Sequence, residues 1–250
     1  MSSVSLITGG SRGLGRSMAL HLADRGNDII ITYRTNRAEA DAVVALVQQK
    51  DRKAAALQLD VSDSSAFAAF AEAIRTTLAG WGKERFDHLV NNAGTGLHAA
   101  FADTTEAQFD ELMRAHLKGP YFLTQTLLPL IADGGRIINI SSGLARFSFA
   151  GSSAYAAMKG GVEVLTRYLA TELGPRRIAV NTIAPGAIET DFNGGHVRDN
   201  PQLNKQIATF TALGRVGLPD DVGGAVALLL SPEAGWITGQ RIEVSGGMLL

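Results

Sequence analysis

The sequence predicts an α/β fold, a parallel sheet with helices on both faces, and three observations carry that reading. Short aliphatic runs alternate with longer Ala-rich stretches of helical period from one end of the chain to the other. The aliphatic runs are nearly continuous, as expected of strands buried on both sides. The intervening stretches are long enough for crossover helices, which parallel neighbours require. In order, VSLIT (4–8) is the first strand, followed by a glycine-rich turn and a helix over about 13–25. DIIITY (28–33) is β-branched almost throughout and precedes a helix over about 36–50. AALQLD (55–60) and DHLVNN (87–92) follow, with helical periods over about 63–80 and 105–131. GRIINIS (135–141), IAVNTI (178–183) and RIEVS (241–245) complete the strands, with helices over about 152–173 and 219–231. Residues 186–218 show no clear period. A long connection after a strand's C-terminus lies over the ligand crevice of such a sheet, so this segment reads as a substrate loop. These elements use up all 250 residues, which predicts one domain, 1–250, with no linker.

Composition narrows the function. A formal net charge of −1 gives no electrostatic reason to bind nucleic acid or an anionic membrane. With no cysteine, the chain has no disulfide, thiol nucleophile or thiolate-bound metal. The histidines lack metal-ligand spacing. The opening MSSVSLITGG has no secretory pattern, and no apolar run approaches the ~18 residues of a membrane span, so a cytoplasmic location is expected. Glycine is the one skew, 28 residues in 250, against a usual ~7%.

Several glycines fall between the first strand and first helix, in VSLITGGSRGLGRS. A helix N-terminus presents free N–H groups and the positive end of its dipole, and glycine lets a phosphate approach the backbone. Gly9, Gly13 and Gly15, with Ser11, Arg12 and Leu14 between them, are therefore candidate cofactor contacts. A nucleoside triphosphate is the competing ligand. Residues 10–17 miss the phosphate-loop pattern only by Arg16 in place of lysine, but the fourth strand ends in asparagines instead of a magnesium-holding aspartate. The second strand ends Thr32-Tyr33-Arg34, with no carboxylate for a ribose 2′-hydroxyl. A guanidinium at Arg34, with Arg12 nearby, suits a 2′-phosphate and favours NADP(H) over NAD(H).

Tyr155 and Lys159 stand four residues apart in AYAAMKGG, so a helix places them on one face. Together with TGGSRGLG (8–15), DV (60–61), NNAG (91–94), ISS (140–142), PGAIET (185–190) and TGQRIEVSGG (238–247), the YAAMK motif resembles the short-chain dehydrogenase/reductase family over essentially the whole chain. The resemblance implies a doubly wound seven-stranded sheet of order 3-2-1-4-5-6-7, the Rossmann fold. It implies assembly as homodimers or homotetramers through the fourth and fifth helices. It implies Ser142 as the hydrogen-bond donor to the substrate oxygen, Tyr155 as general acid/base, and Lys159 as the residue that binds the nicotinamide ribose and lowers the tyrosine's pKa. Asp60 and Val61 would lie beside the adenine, Asn92, Ala93 and Gly94 would flank the cofactor, and Pro185, Gly186, Ile188 and Thr190 would hold its nicotinamide end. The electrostatics are independent of the resemblance. A cation ~4 Å from a phenol favours phenolate by ~4 kcal/mol at an effective dielectric of ~20, so a fall of about two pKa units from ~10 is reasonable after desolvation.

One position departs from the family pattern: His116 stands where many members have an asparagine whose main-chain carbonyl holds a water connected to the lysine. The side chain is not needed for that contact, and a histidine titrating near ~6.5 is a candidate relay group or a packing residue. The expected substrate is a small carbonyl compound or alcohol with a hydrophobic part, facing a wall of Leu97, Leu144, Phe147, Phe149 and Ala187. Family reductases of acyl-carrier-protein thioesters are the alternative within the class, disfavoured by the lack of Lys or Arg in TLLPLIADGG. A cofactor-binding sensor without turnover is the alternative outside it.

Overall fold

The alternation of side chains along each strand divides the apolar residues between two faces, and two layers of helices cover them. The structure, a computed structural model, describes residues 2–250. Strands β1 (Val4–Ile7), β2 (Asp28–Tyr33), β3 (Ala54–Gln58), β4 (Phe86–Asn91), β5 (Ile131–Ile140), β6 (Ala179–Pro185) and β7 (Arg241–Val244) form one parallel sheet of order β3-β2-β1-β4-β5-β6-β7. Ile7, Ile29, Ile31, Val90, Ile138 and Ile183 pack toward α1 (Gly13–Asp24), α2 (Arg37–Gln48) and α9 (Pro219–Leu229). Leu6, Ile30, Leu89, Ile137 and Val180 face the opposite side, beneath α3 (Phe67–Gly80) and α5 (Gly119–Leu127). On that second side, α4 (Glu106–Met113) continues through a π-helical turn, Arg114–Lys118, into α5, and α6 (Ser153–Glu172) packs beside it.

Local chemistry sets the helix starts. The Asn36 side chain accepts from Glu39 N at 3.2 Å, and Thr105 forms a reciprocal capping box with Gln108. The fourth helical stretch does not reach residue 131. It ends at Leu127, since Pro129 can supply no N–H and forces the short 3₁₀ turn Leu128–Leu130. The fifth strand accordingly begins at Ile131, earlier than its aliphatic run, and its pairing with β4 shifts register between Phe86 and His88. The segment 186–218 carries two short helices the sequence pattern did not reveal, α7 (His196–Asp199) and α8 (Pro201–Thr209). The signal for α8 was present: Asn200 caps it by accepting from Gln202 N and Leu203 N, and Pro201 occupies its first turn.

Candidate active site

The C-terminal ends of β1, β2, β4, β5 and β6 open into one cavity of about 1130 Å³, beyond the usual span for one small ligand and large enough for a dinucleotide and a second molecule. Every predicted catalytic and cofactor-binding residue lines it: Ser142, Tyr155, Lys159 and His116, the turn residues Gly9 and Ser11 through Gly15, Tyr33 and Arg34, Asp60 and Val61, Asn92 through Gly94, and Pro185, Gly186, Ile188 and Thr190. Arg16 is exposed and lies outside the lining, so the phosphate-loop alternative has no cation in place.

At the glycine turn the backbone itself is the binding surface. Gly9 and Gly13 have φ of +65° and +53°, and a Cβ at Gly15 would lie 2.1 Å from the Gly9 carbonyl oxygen. Helix α1 starts without a side-chain cap and without an acidic residue in its first turn, which leaves its N–H groups and dipole to an anion. This cradle fits a dinucleotide pyrophosphate. The NNAG segment fastens it. Asn92 Nδ2 donates to the carbonyls of Thr8 and Gly9 (2.9 and 3.1 Å), while Thr8 Oγ1 accepts from Asn92 N and Ala93 N (2.9 and 3.0 Å). At the tip of β2, Arg34 is exposed, as is Arg12 across the turn, and neither guanidinium has a side-chain partner among the described residues. Asp60 is turned back on its own loop, accepting from Ser62 N at 2.8 Å beside buried Val61.

At the other end, α6 delivers Tyr155 and Lys159 next to Ser142, which lies two residues past the end of β5 and caps the 3₁₀ turn Gly143–Ala145. The Ser142 hydroxyl lies beside the Tyr155 phenol and accepts from Leu144 N at 3.2 Å. Lys159, buried, donates from Nζ to the Ile140 carbonyl at 2.7 Å, and its Nζ lies 5.5 Å from the centre of the Tyr155 ring. The shift at Tyr155 runs opposite to the fall of about two pKa units expected from the sequence. Burial pushes the Tyr155 phenol up, and the neighbouring Ser142 hydroxyl draws it partly back. Burial draws the Lys159 ammonium down to about 7, so at neutral pH its charge is itself partly lost. In the protein alone, the tyrosine is therefore a proton donor.

His116 lies in the π-helical turn, 2% exposed, with its ring edge-on to Tyr155 at 5.1 Å. Its Nε2 faces the Thr95 backbone, 2.6 Å from the carbonyl oxygen and 3.2 Å from the amide nitrogen. Burial, with the Lys159 charge second, lowers its pKa to about 3, so it is neutral in the site, and Nδ1 is buried without a partner. A Cβ at Gly94 would come within 2.3 Å of this ring, which explains that glycine without invoking a ligand.

On the substrate side, Leu144, Phe147, Phe149 and Ala187 line the cavity as expected, but Leu97 does not. The loop after β4 turns His98 inward instead. The sequence reading missed Phe192, Phe210, Ile207 and His196 from the 186–218 segment, and Met248 from the C-terminus. Met248 is held by a contact no local pattern shows: Arg146 donates to its carbonyl at 2.7 Å and pairs with Glu243. Among the described residues, no cluster of metal-ligating side chains occurs and no helix is long and apolar enough to cross a membrane.

Comparison with known proteins agrees with this geometry. The sequence profile of the family described as Enoyl-(Acyl carrier protein) reductase matches residues 9–249. The 3-oxoacyl-[acyl-carrier-protein] reductase of Staphylococcus aureus is 36% identical, with 100% of this chain and 99% of that protein covered. Among solved structures, the promiscuous reductase LugOII, which catalyses keto-reduction at C1 during lugdunomycin biosynthesis, superposes with a TM-score of 0.94 at 37% identity, covering 99% of this chain and 98% of its own. The angucycline C-6 ketoreductase LanV with bound NADP gives a TM-score of 0.93 at 33% identity, covering 99% and 95%. A doubly wound sheet that gathers a glycine cradle and a Ser–Tyr–Lys set into one cavity, and this likeness over its full length, place the chain in the short-chain dehydrogenase/reductase family of oxidoreductases, which act on carbonyl and alcohol groups.

Proposed function

We propose that the protein is an NADP(H)-dependent oxidoreductase that interconverts a ketone or aldehyde and an alcohol, with Tyr155 as general acid and base. The observation that carries this is one cavity that holds Ser142, Tyr155 and Lys159 together at its inner end and two unpartnered arginines, Arg12 and Arg34, at its outer end. The glycine turn and the N-terminus of α1 would hold the pyrophosphate, Arg12 and Arg34 the 2′-phosphate, and Lys159 the nicotinamide ribose. When bound, the nicotinamide supplies or accepts the hydride. Ser142 and Tyr155 orient the carbonyl oxygen, and the Tyr155 hydroxyl delivers its proton as negative charge develops there. In the reverse direction the phenolate takes the alcohol proton. LanV, bound to NADP, supports the cofactor assignment by likeness.

The acyl-carrier-protein alternative is the weaker one. Among the described lining residues the only arginines and lysines are Arg12, Arg34 and Lys159, all on the cofactor or catalytic side, so nothing cationic meets a phosphorylated carrier arm in the substrate half. A sensor without turnover would not need Ser142, Tyr155 and Lys159 together. The proposal is tested by incubating the protein with NADPH or NADH and a panel of ketones. Loss of absorbance at the reduced-nicotinamide band with NADPH in preference to NADH is expected. A protein that binds NADPH tightly yet reduces no ketone would support the sensor instead.

A further inference from the structure

We propose that the substrate is an uncharged, fused-ring aromatic ketone, received in a slot of aromatic rings beside the reacting carbonyl. This rests on the oxidoreductase reading of the site and names the substrate class it takes.

Aromatic rings surround the catalytic hydroxyls themselves. The Phe147 ring lies against the backbone next to Ser142: a Cβ at Gly143 would meet its Cζ at 2.5 Å. The Phe192 ring stands 6.1 Å from that of Tyr155, centre to centre, tilted by 56°. Phe149 extends the Phe147 side, edge-to-face at 5.7 Å, and Phe210 adds a further ring from the lid. Phe149, Phe192 and Phe210 are all exposed although they line the cavity, so their rings are not packed into the protein core. A carbonyl held by Ser142 and Tyr155 therefore carries its substituents straight between rings. Flat π-systems suit such walls, because aromatic pairs gain offset-stacked or edge-to-face contacts beyond area burial. The Arg146 guanidinium, 5.4 Å from the centre of the Phe147 ring and fixed by Glu243, keeps that ring in place.

Charge in the slot points the same way. Its substrate half has no lysine or arginine in its lining, and the one lid carboxylate that lines it, Asp191, is paired with Arg198. An anionic or phosphorylated substrate would find no lysine or arginine there, whereas His98, His196 and Gln206 offer hydrogen-bonding groups for hydroxyls on a ring system.

Calorimetric titration of the NADPH-loaded protein tests this with 2-naphthol and decahydro-2-naphthol, alcohols with the same carbon skeleton of which neither is oxidised while the cofactor is reduced. The aromatic alcohol is expected to bind about tenfold more tightly, the factor that two aromatic pairs supply. Phe147→Leu and Phe192→Leu, which keep apolar bulk but remove a ring, should each cut that preference severalfold. Equal binding of the two alcohols by the wild-type protein, or a preference unchanged in both variants, would overturn the proposal. Reduction of 2-tetralone is measured alongside. A strong naphthol preference with no tetralone reduction would leave the aromatic slot standing and remove the reductase reading, so the two failures are distinguishable.

Discussion

Desolvation raises the Tyr155 phenol in the ligand-free cavity, so its hydroxyl keeps its proton, while the nearby Lys159 ammonium is itself drawn down by burial. The four-residue spacing made the pair legible in the sequence, and α6 does bring both into the cavity. Spacing alone could not show that Lys159 donates to Ile140 and sits below the tyrosine ring, since that depends on how α6 meets β5. His116 was legible as a departure, but its neutral state is set by burial and by the Lys159 charge, against a raising contact from Thr95, 21 residues earlier in the chain. Arg34 was the clearest single-residue signal, and it stands exposed at the β2 tip. Arg34→Asp removes a charge-assisted contact and adds repulsion, so NADPH affinity should fall about ten- to a hundredfold while NADH affinity changes little. Fluorescence titration with both cofactors measures this. Wild-type preference for NADH would contradict the assignment.

At the scale of elements, the sheet was the most legible part, because each strand is an aliphatic run whose alternate residues serve two cores. Boundaries were lost where proline or a π-helical turn interrupts an apolar pattern, as at Pro129 and Arg114–Lys118. The lid was lost because α7 and α8 are too short to show a period, although Asn200-Pro201 announced a helix start. The outward faces of α4, α5 and α6 carry exposed Phe109, Tyr121, Phe122, Val164 and Tyr168, a concentration of apolar surface suited to association. We propose that the protein is a homodimer or larger through these helices. Light scattering should give a mass at or above twice the 26.3 kDa of one chain. A 26.3 kDa species across the micromolar range would contradict it.

For the whole molecule, acid stability follows from two histidines buried as neutral rings. His88 on β4, bonded to Ser5 at 2.9 Å, is lowered to about 4 by burial and the Arg136 charge, and His116 is lowered to about 3. Both folded-state values lie below the ordinary 6.5, so the unfolded chain binds more protons as pH falls through that value. Stability is full above about pH 6.5, and each histidine should remove about 2 kcal/mol between pH 7.5 and 5. Urea unfolding at the two pH values measures the loss, and His88→Gln should halve its pH-dependent part. Equal stability at both would show that the rings charge freely. The central claim, proton delivery by Tyr155 in an NADP(H)-dependent reduction, is tested most directly by Tyr155→Phe, assayed for NADPH binding and for ketone reduction in the same preparation. NADPH affinity should stay within about threefold of wild type, since Tyr155 is not among the proposed phosphate-binding groups, while turnover falls by two to four orders of magnitude, on the order of what a positioned acid contributes. Turnover within about tenfold of wild type, with binding intact, would contradict the account.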